Sequence, residues 1–321
     1  MFNYLPHITI KRHHTYCFFL TSFLVIGGCE KVPEQVKDKE KTTILICEQA
    51  SGRIMLMDSE IDWASPDAVV WSWSAKNDPT LNDEQRSWFR NLDEAKPVLN
   101  GRQIVVTASG GGAALIDFES ARAIAKINIG GSPHSADRLP DGRIVVASSS
   151  GDKLSLWDPE SGQILQTVEL VDAHGVEWDQ SRQCLWALSG KQLTRYEYQA
   201  DSKNSRLERK LVLDLPVTEA SKHHARHGGH DLTRIPGEDA YFVSDMDHLW
   251  RFDCKSESFT PLGKRHEMAK VKSISQLKKD GPILVLKADE QWHSTGPRTI
   301  DESVIWKLPK ARIYKARWWL P

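Results

Sequence analysis

The sequence predicts an all-β fold, a six-bladed β-propeller with short insertions on one face, and three observations carry that expectation. A two-strand unit recurs six times: an apolar, β-branched run, a small or polar turn, then a second strand that often ends on an acidic residue. Most units are followed by a further strand-like run and preceded by a segment ending in a Gly, Asp or Asn turn, giving four strands per repeat. The units also recur at near-regular spacing through the 321 residues. Short β-branched runs with Gly and Ser turns form hairpins, and hairpins at regular spacing form blades that bury their faces only by stacking on neighbours.

The N-terminus stands outside this pattern. Lys11, Arg12, His13 and His14 precede the short apolar run Cys17 to Ile26, then Gly27, Gly28 and Cys29. A basic start, a brief apolar core and small residues make a secretory signal over residues 1–28, too short for an ordinary membrane span. Ile26-Gly27-Gly28-Cys29 resembles the bacterial lipobox. The resemblance implies cleavage before Cys29, acylation of that cysteine, and a chain anchored to a bacterial membrane, facing the periplasm or exterior and touching the bilayer only through its lipid. Residues 29–42 are charged and without apolar periodicity, as a tether is, and the propeller is expected over 43–321. Cys47, Cys184 and Cys254 then remain, an odd and widely spaced set that reads as small core residues, not a disulfide framework. The formal net charge is -1 with lysine and arginine dispersed, so no nucleic-acid footprint is expected. A monomer is expected.

Taken in order, the hairpins are ILICEQASGRIMLMD from Ile44, IVVTASGGGAALIDF from Ile104, IVVASSSGDKLSLWD from Ile144, CLWALSGKQLTRYEY from Cys184, YFVSDMDHLWRFD from Tyr241, and ILVLKADEQ from Ile283 resumed by VIWKLP from Val304. Outer strands follow in AVVWSWS, RAIAKINIG, QILQTVEL, RLERKLVLDLP and RIYKARWW. The first hairpin has no inner segment ahead of it, so the ring must be closed by the C-terminal strand or the tether. The stretch from Leu139 to Asp158 resembles the hairpin of WD-type propeller repeats. ICEQASGRI from Ile46, VTASGGGAALIDF from Val106 and SPHSAD from Ser132 give the whole chain the look of an uncharacterised bacterial family of lipoprotein propellers, a resemblance that implies fold and location but no activity.

Aligned without gaps, the inner segments place Asp93, His134, His174, His230 and Ser273 at one position, with the three histidines on consecutive blades. Inner strands start at the face that also carries the turns between second and third strands, so these side chains are expected to meet at the mouth of the central funnel. Imidazoles beside a carboxylate suit Zn²⁺, Mn²⁺, Fe²⁺ or Ni²⁺ and leave positions for a ligand, although a wet channel accepts histidine equally. Three residues further on come Lys96, Asp137, Glu177, Thr233 and Gln276; Asp137 and Glu177 either orient the histidines, act as general bases or pair along the channel wall. His223, His224 and His227 fall in the loop entering blade five and read as solvent-facing. Ser74 to Asn91 interrupts the β pattern with a short helix on the funnel side. Trp71, Trp73 and Trp88 there read as packing residues, while Trp292 and His293, in the insertion from Ala288, belong to the polar face.

The chain has no G-x-G-x-x-G in a strand-to-helix setting, no phosphate loop, no H-E-x-x-H and no G-x-S-x-G. The expected function is binding of a small ligand, a carbohydrate, by Asp93, Asp137, Glu177, Gln276, Trp292 and His293, with a divalent metal at His134, His174 and His230. A metal-dependent lyase or hydrolase acting on a sugar acid or glycan, and a protein-interaction scaffold, are the alternatives.

Overall fold

The apolar runs form strands wherever β-branched residues alternate between two blade faces. The structure, a computed structural model, describes residues 41–201, 204–219, 222 and 228–320. The signal, Cys29, the tether before Lys41, and His223, His224 and His227 lie outside these residues.

Strands β1 (Thr43–Glu48), β2 (Arg53–Asp58) and β3 (Val69–Trp73) begin the first blade. The second is β4 (Leu92–Val98), β5 (Gln103–Ala108), β6 (Gly112–Asp117) and β7 (Arg122–Asn128). The third is β8 (Pro133–Arg138), β9 (Ile144–Ser148), β10 (Lys153–Asp158) and β11 (Gln163–Glu169), and the fourth β12 (Gly175–Asp179), β13 (Cys184–Leu188), β14 (Gln192–Gln199) and β15 (Arg206–Asp214). The fifth is β16 (Asp231–Arg234), β17 (Ala240–Ser244), β18 (Leu249–Asp253) and β19 (Ser258–Pro261). The sixth has three strands, β20 (Val271–Gln276), β21 (Ile283–Lys287) and the two-residue β22 (Arg298–Thr299). Each blade is one antiparallel sheet, and the six together make a six-bladed β-propeller.

The ring closes through β23 (Ile313–Trp318), which pairs antiparallel with β1 and is the inner strand of blade one, ordered β23-β1-β2-β3. Closure falls to the C-terminal strand and not to the tether, one of the two expected routes, and this corrects the placing of RIYKARWW among the outer strands. Every residue of β23 is buried, and its Lys315 and Arg317 meet Glu94 and Asp231 at the axis, partners an outer strand never reaches.

Between each adjacent pair of blades lies an apolar cluster. Leu45 and Leu56 of blade one pack on Leu92 and Val106 of blade two, and Leu284 and Leu286 of blade six pack on Met55 and Ile313 of blade one. A large side chain buried there contributes about 1.5–3 kcal/mol. Cys47, Cys184 and Cys254 are buried and unpaired within this packing.

The inner strands present unpaired N–H groups to the channel wall, and side chains of the preceding blade accept several of them. Ser135 Oγ accepts from Val176 N at 3.2 Å, Asp137 Oδ2 from Trp178 N at 2.7 Å, Asp231 Oδ2 from Ile274 N at 2.9 Å, and Ser273 and Ser275 Oγ from Ala316 and Trp318 N. Buried backbone donors left without partners are costly, which is why short polar residues recur there.

Helix α1 (Asp83–Trp88) is set by a capping box in which Asn82 and Gln85 bond each other's backbone. It sits beside the turn joining β5 to β6: a Cβ at Gly110 would lie 2.5 Å from Trp88 O. Trp71 stacks on Phe118 and Trp73 bonds Asp78, so both pack as expected.

Candidate functional site

Six inner strands deliver six side chains to one level near the channel mouth. In β4, β8 and β20 the pairing register skips Asp93, His134 and Lys272, and such a bulge re-aims the extra residue. His174 and His230 occupy the residue just before β12 and β16, each with its N–H bonded to the second strand of its blade. Tyr314 completes the level from β23.

The histidines converge. His134 and His174 lie with ring centroids 4.8 Å apart, and His174 and His230 5.1 Å apart, both edge-on. Tyr314 meets His134 at 5.7 Å. Turns on the same face supply Ser149, with Oγ 3.1 Å from His134 Nδ1, and Ser109, whose hydroxyl lies 2.5 Å from Asp93 Oδ2.

Blade six departs from the gapless spacing of the other inner segments. The turn from β8 to β9 is one residue shorter than that from β20 to β21, because Arg138 pairs with Ile144 but Gln276 with Ile283. Matching Ile283 to Ile144 therefore slides β20 by one residue. Lys272, not Ser273, stands at the histidine level, and Ser275, not Gln276, matches Asp137. Ser273 instead accepts Ala316 N, and Gln276 donates its amide to Gly281 O across its own turn at 3.0 Å.

Lys272 is the group that sequence reasoning missed. Its Nζ lies 3.1 Å from His230 Nε2 and its residue is 8% exposed. Among the described residues no carboxylate stands within 4 Å of that ammonium. Burial, then the charges of Lys315 and Lys270, lowers it to about 8. Burial likewise holds the His134 and His230 imidazoles well below their ordinary value, helped by His174 in the first case and Lys272 in the second.

These bonds fix the tautomers. Lys272 donates to His230 Nε2, so the proton of His230 sits on Nδ1, which is buried without a partner. His134 Nδ1–H donates to Ser132 O at 2.7 Å and leaves Nε2 as an acceptor. His174 is held through Nδ1 to Asp172 O at 2.9 Å, with Asp172 Oδ1 at 3.5 Å. The level thus offers one cation, one spare donor and an imidazole acceptor.

Deeper in the channel, charges neutralise one another. Arg317 bonds Glu94 and, at 2.6 Å, Asp231; Lys315 reaches the same two carboxylates at 3.3 and 3.2 Å. Burial opposes the charge on Glu94, yet Arg317, then Lys315 and Lys96, hold its carboxyl well below the usual range. Glu177, 3.5 Å from Lys96, is pushed by burial to about 8 despite that lysine. Asp137 receives Arg138 N and Trp178 N and so ties blade three to blade four. This plug is not apparent in the sequence because RIYKARWW reads as an outer strand as readily as it reads as the strand that closes the ring.

Trp292 and His293 lie on the rim. Trp292 is 43% exposed and its indole N–H donates to Gln49 Oε1 at 3.1 Å, while Gln49 Nε2 bonds Leu92 O and Asp93 Oδ1. Burial, against the Ser109 hydrogen bond, raises Asp93 to about 8.

Asp179, Asp239 and Cys254 have ligand atoms within 4.8 Å of one another, so a three-residue group able to hold a metal exists at the opposite end of the blades. Arg182 bonds both carboxylates and Arg234 approaches Asp179, so cations of the chain already occupy them. At the histidines, His230 Nε2 is likewise taken by Lys272.

No curated protein matches the chain. A protein of unknown function from Bacteroides caccae is 12% identical with a TM-score of 0.54, covering 87% of this chain and 98% of that one. Dihydro-heme d1 dehydrogenase NirN is 13% identical with a TM-score of 0.48 over 83% of this chain, which spans about half, 53%, of that protein. U3-55K is 12% identical with a TM-score of 0.49 over 70% of this chain and 63% of that one. At such identity the likeness to the Bacteroides protein shows the propeller fold alone. Residues 12–321 match the model of DUF6528, a family of unknown function, and the chain belongs to that family.

Proposed function

We propose that this propeller binds a small hydroxylated carboxylate, an acidic sugar, at its histidine-lined mouth, and that it does so outside the cytoplasm, tethered through Cys29. One observation carries the ligand class: Lys272 is a buried ammonium beside the His230 imidazole with, among the described residues, no carboxylate in ion-pairing range. Burying a cation without a counter-ion is unfavourable, and an incoming carboxylate relieves that cost. The His134 Nε2 acceptor supports a bond from a ligand hydroxyl.

Calorimetric titration with galacturonate and with galactose tests this. Galacturonate is expected to bind at least about tenfold tighter than galactose, a difference of about 1.4 kcal/mol, and Lys272→Met is expected to erase it. Equal affinity of wild type and Lys272→Met for galacturonate, or no binding by either, sinks the reading.

The convergence of His134, His174 and His230 favours a second reading, a Zn²⁺, Mn²⁺, Fe²⁺ or Ni²⁺ site serving a lyase or hydrolase. That site needs Lys272 to leave His230 Nε2, so the same substitution acts with opposite sign: untagged Lys272→Met should retain more metal than wild type, and His174→Ala less.

A further inference from the structure

A cavity of about 630 Å³ opens on the same face as the histidines, between the ends of β11, β13 and β15. Its size falls within the roughly 300–1,000 Å³ typical of small-molecule sites. The segment leading into β12 and the turn joining β13 to β14 form it, and these frame the start of the inner strand that follows His174. Asp172 belongs to both places. It lines the cavity, while its carboxylate stands 3.5 Å from His174 Nδ1 and its carbonyl accepts from that nitrogen. Gly190 keeps this partition thin, since a Cβ there would sit 2.5 Å from Asp172 Oδ2.

The lining combines Lys191 and Arg209 with Gln192, Asp214 and an exposed apolar edge at Val171. Arg209 is held by Glu169 O and Gln192 by Asp214, whereas the Lys191 ammonium makes no ion pair among the described residues. Donors and acceptors around the wall, with an apolar face beside them, match a ring that carries hydroxyls at its edge and C–H groups on its face. An available ammonium adds a place for a second carboxylate.

We infer that this cavity is a second subsite beside the histidine row, set off from it by Asp172 and Gly190, so that the ligand is an acidic oligosaccharide of two or more rings. The inference rests on the acidic-sugar reading of the mouth. One acidic ring occupies Lys272 and His230, and the next passes Asp172 into the cavity, its carboxylate on Lys191.

Titration of the full chain with galacturonate and with trigalacturonate tests it, beside Lys191→Met and Arg209→Met, both on the surface and away from the channel. The trimer should bind wild type at least tenfold tighter than the monomer. Each variant should keep the monomer affinity and lose most of that gain. Equal affinity of monomer and trimer for wild type, or an undiminished gain in both variants, overturns the subsite while leaving the mouth intact. Failure of galacturonate itself to bind removes the reading of the mouth and this inference together.

Discussion

Asp93 shows how one residue at the mouth sets a pH response. Its carboxyl is buried, bonded by Ser109 and Gln49, and raised to about 8 from an ordinary value of 3.8. The folded chain therefore binds a proton that the unfolded chain has released between those values. Stability from this group is full below about pH 4 and falls as pH rises toward 8. Asn in place of Asp93 keeps the bonding shape without an ionisable group. Asp93→Asn is expected to raise the urea midpoint above wild type at pH 8, with a smaller difference at pH 5, each tenfold in proton affinity being worth about 1.4 kcal/mol. Glu177 is raised in the same direction, so the Asp93→Asn variant keeps part of the wild-type slope. An unchanged midpoint at pH 8 would show that Asp93 ionises freely in the fold.

At the scale of elements, β23 and the inner strands decide which charges reach the axis. Arg317 bridges Glu94 of blade two and Asp231 of blade five from a strand of blade one. Arg317→Ala leaves Asp231 to Lys315 and Glu94 to Lys315 and the more distant Lys96, 3.8 Å away, and is expected to destabilise the fold by about 3–5 kcal/mol in denaturant titration. Arg317→Met combined with Glu94→Gln should lose less than the sum of the single changes, because the partners leave together. These elements also show what the sequence discloses. Hairpins such as Ile144–Asp158 were legible from alternation and turn residues, and the imidazoles from their repeat. The polar β19, with two apolar residues at most to mark it, and the two-residue β22 carry too little pattern to find. Lys272 was hidden by a one-residue difference in turn length, which moves every side chain of a strand to its other face. Lys315 and Arg317 were hidden because local pattern shows that a segment is a strand, but not which distant sheet it joins.

For the whole molecule, packing between wedges shields what the redox environment would otherwise reach. Cys47, Cys184 and Cys254 lie buried within the blades, and burial raises all three thiols, Cys184 to about 11 and Cys254 to about 12. Since the thiolate is the reactive form, maleimide should leave these three unmodified in the native chain and label them in denaturant, as peptide mass mapping reads. Labelling of any of them under native conditions would show that its blade opens locally.

The way the ring is shut also ties folding to completeness. A chain clipped ahead of residue 313 holds every other blade, yet its hub keeps Glu94 and Asp231 without Lys315 and Arg317, and its first sheet lacks its innermost strand. Such a fragment leaves blade one open at the axis, so β23 is the latch of the ring.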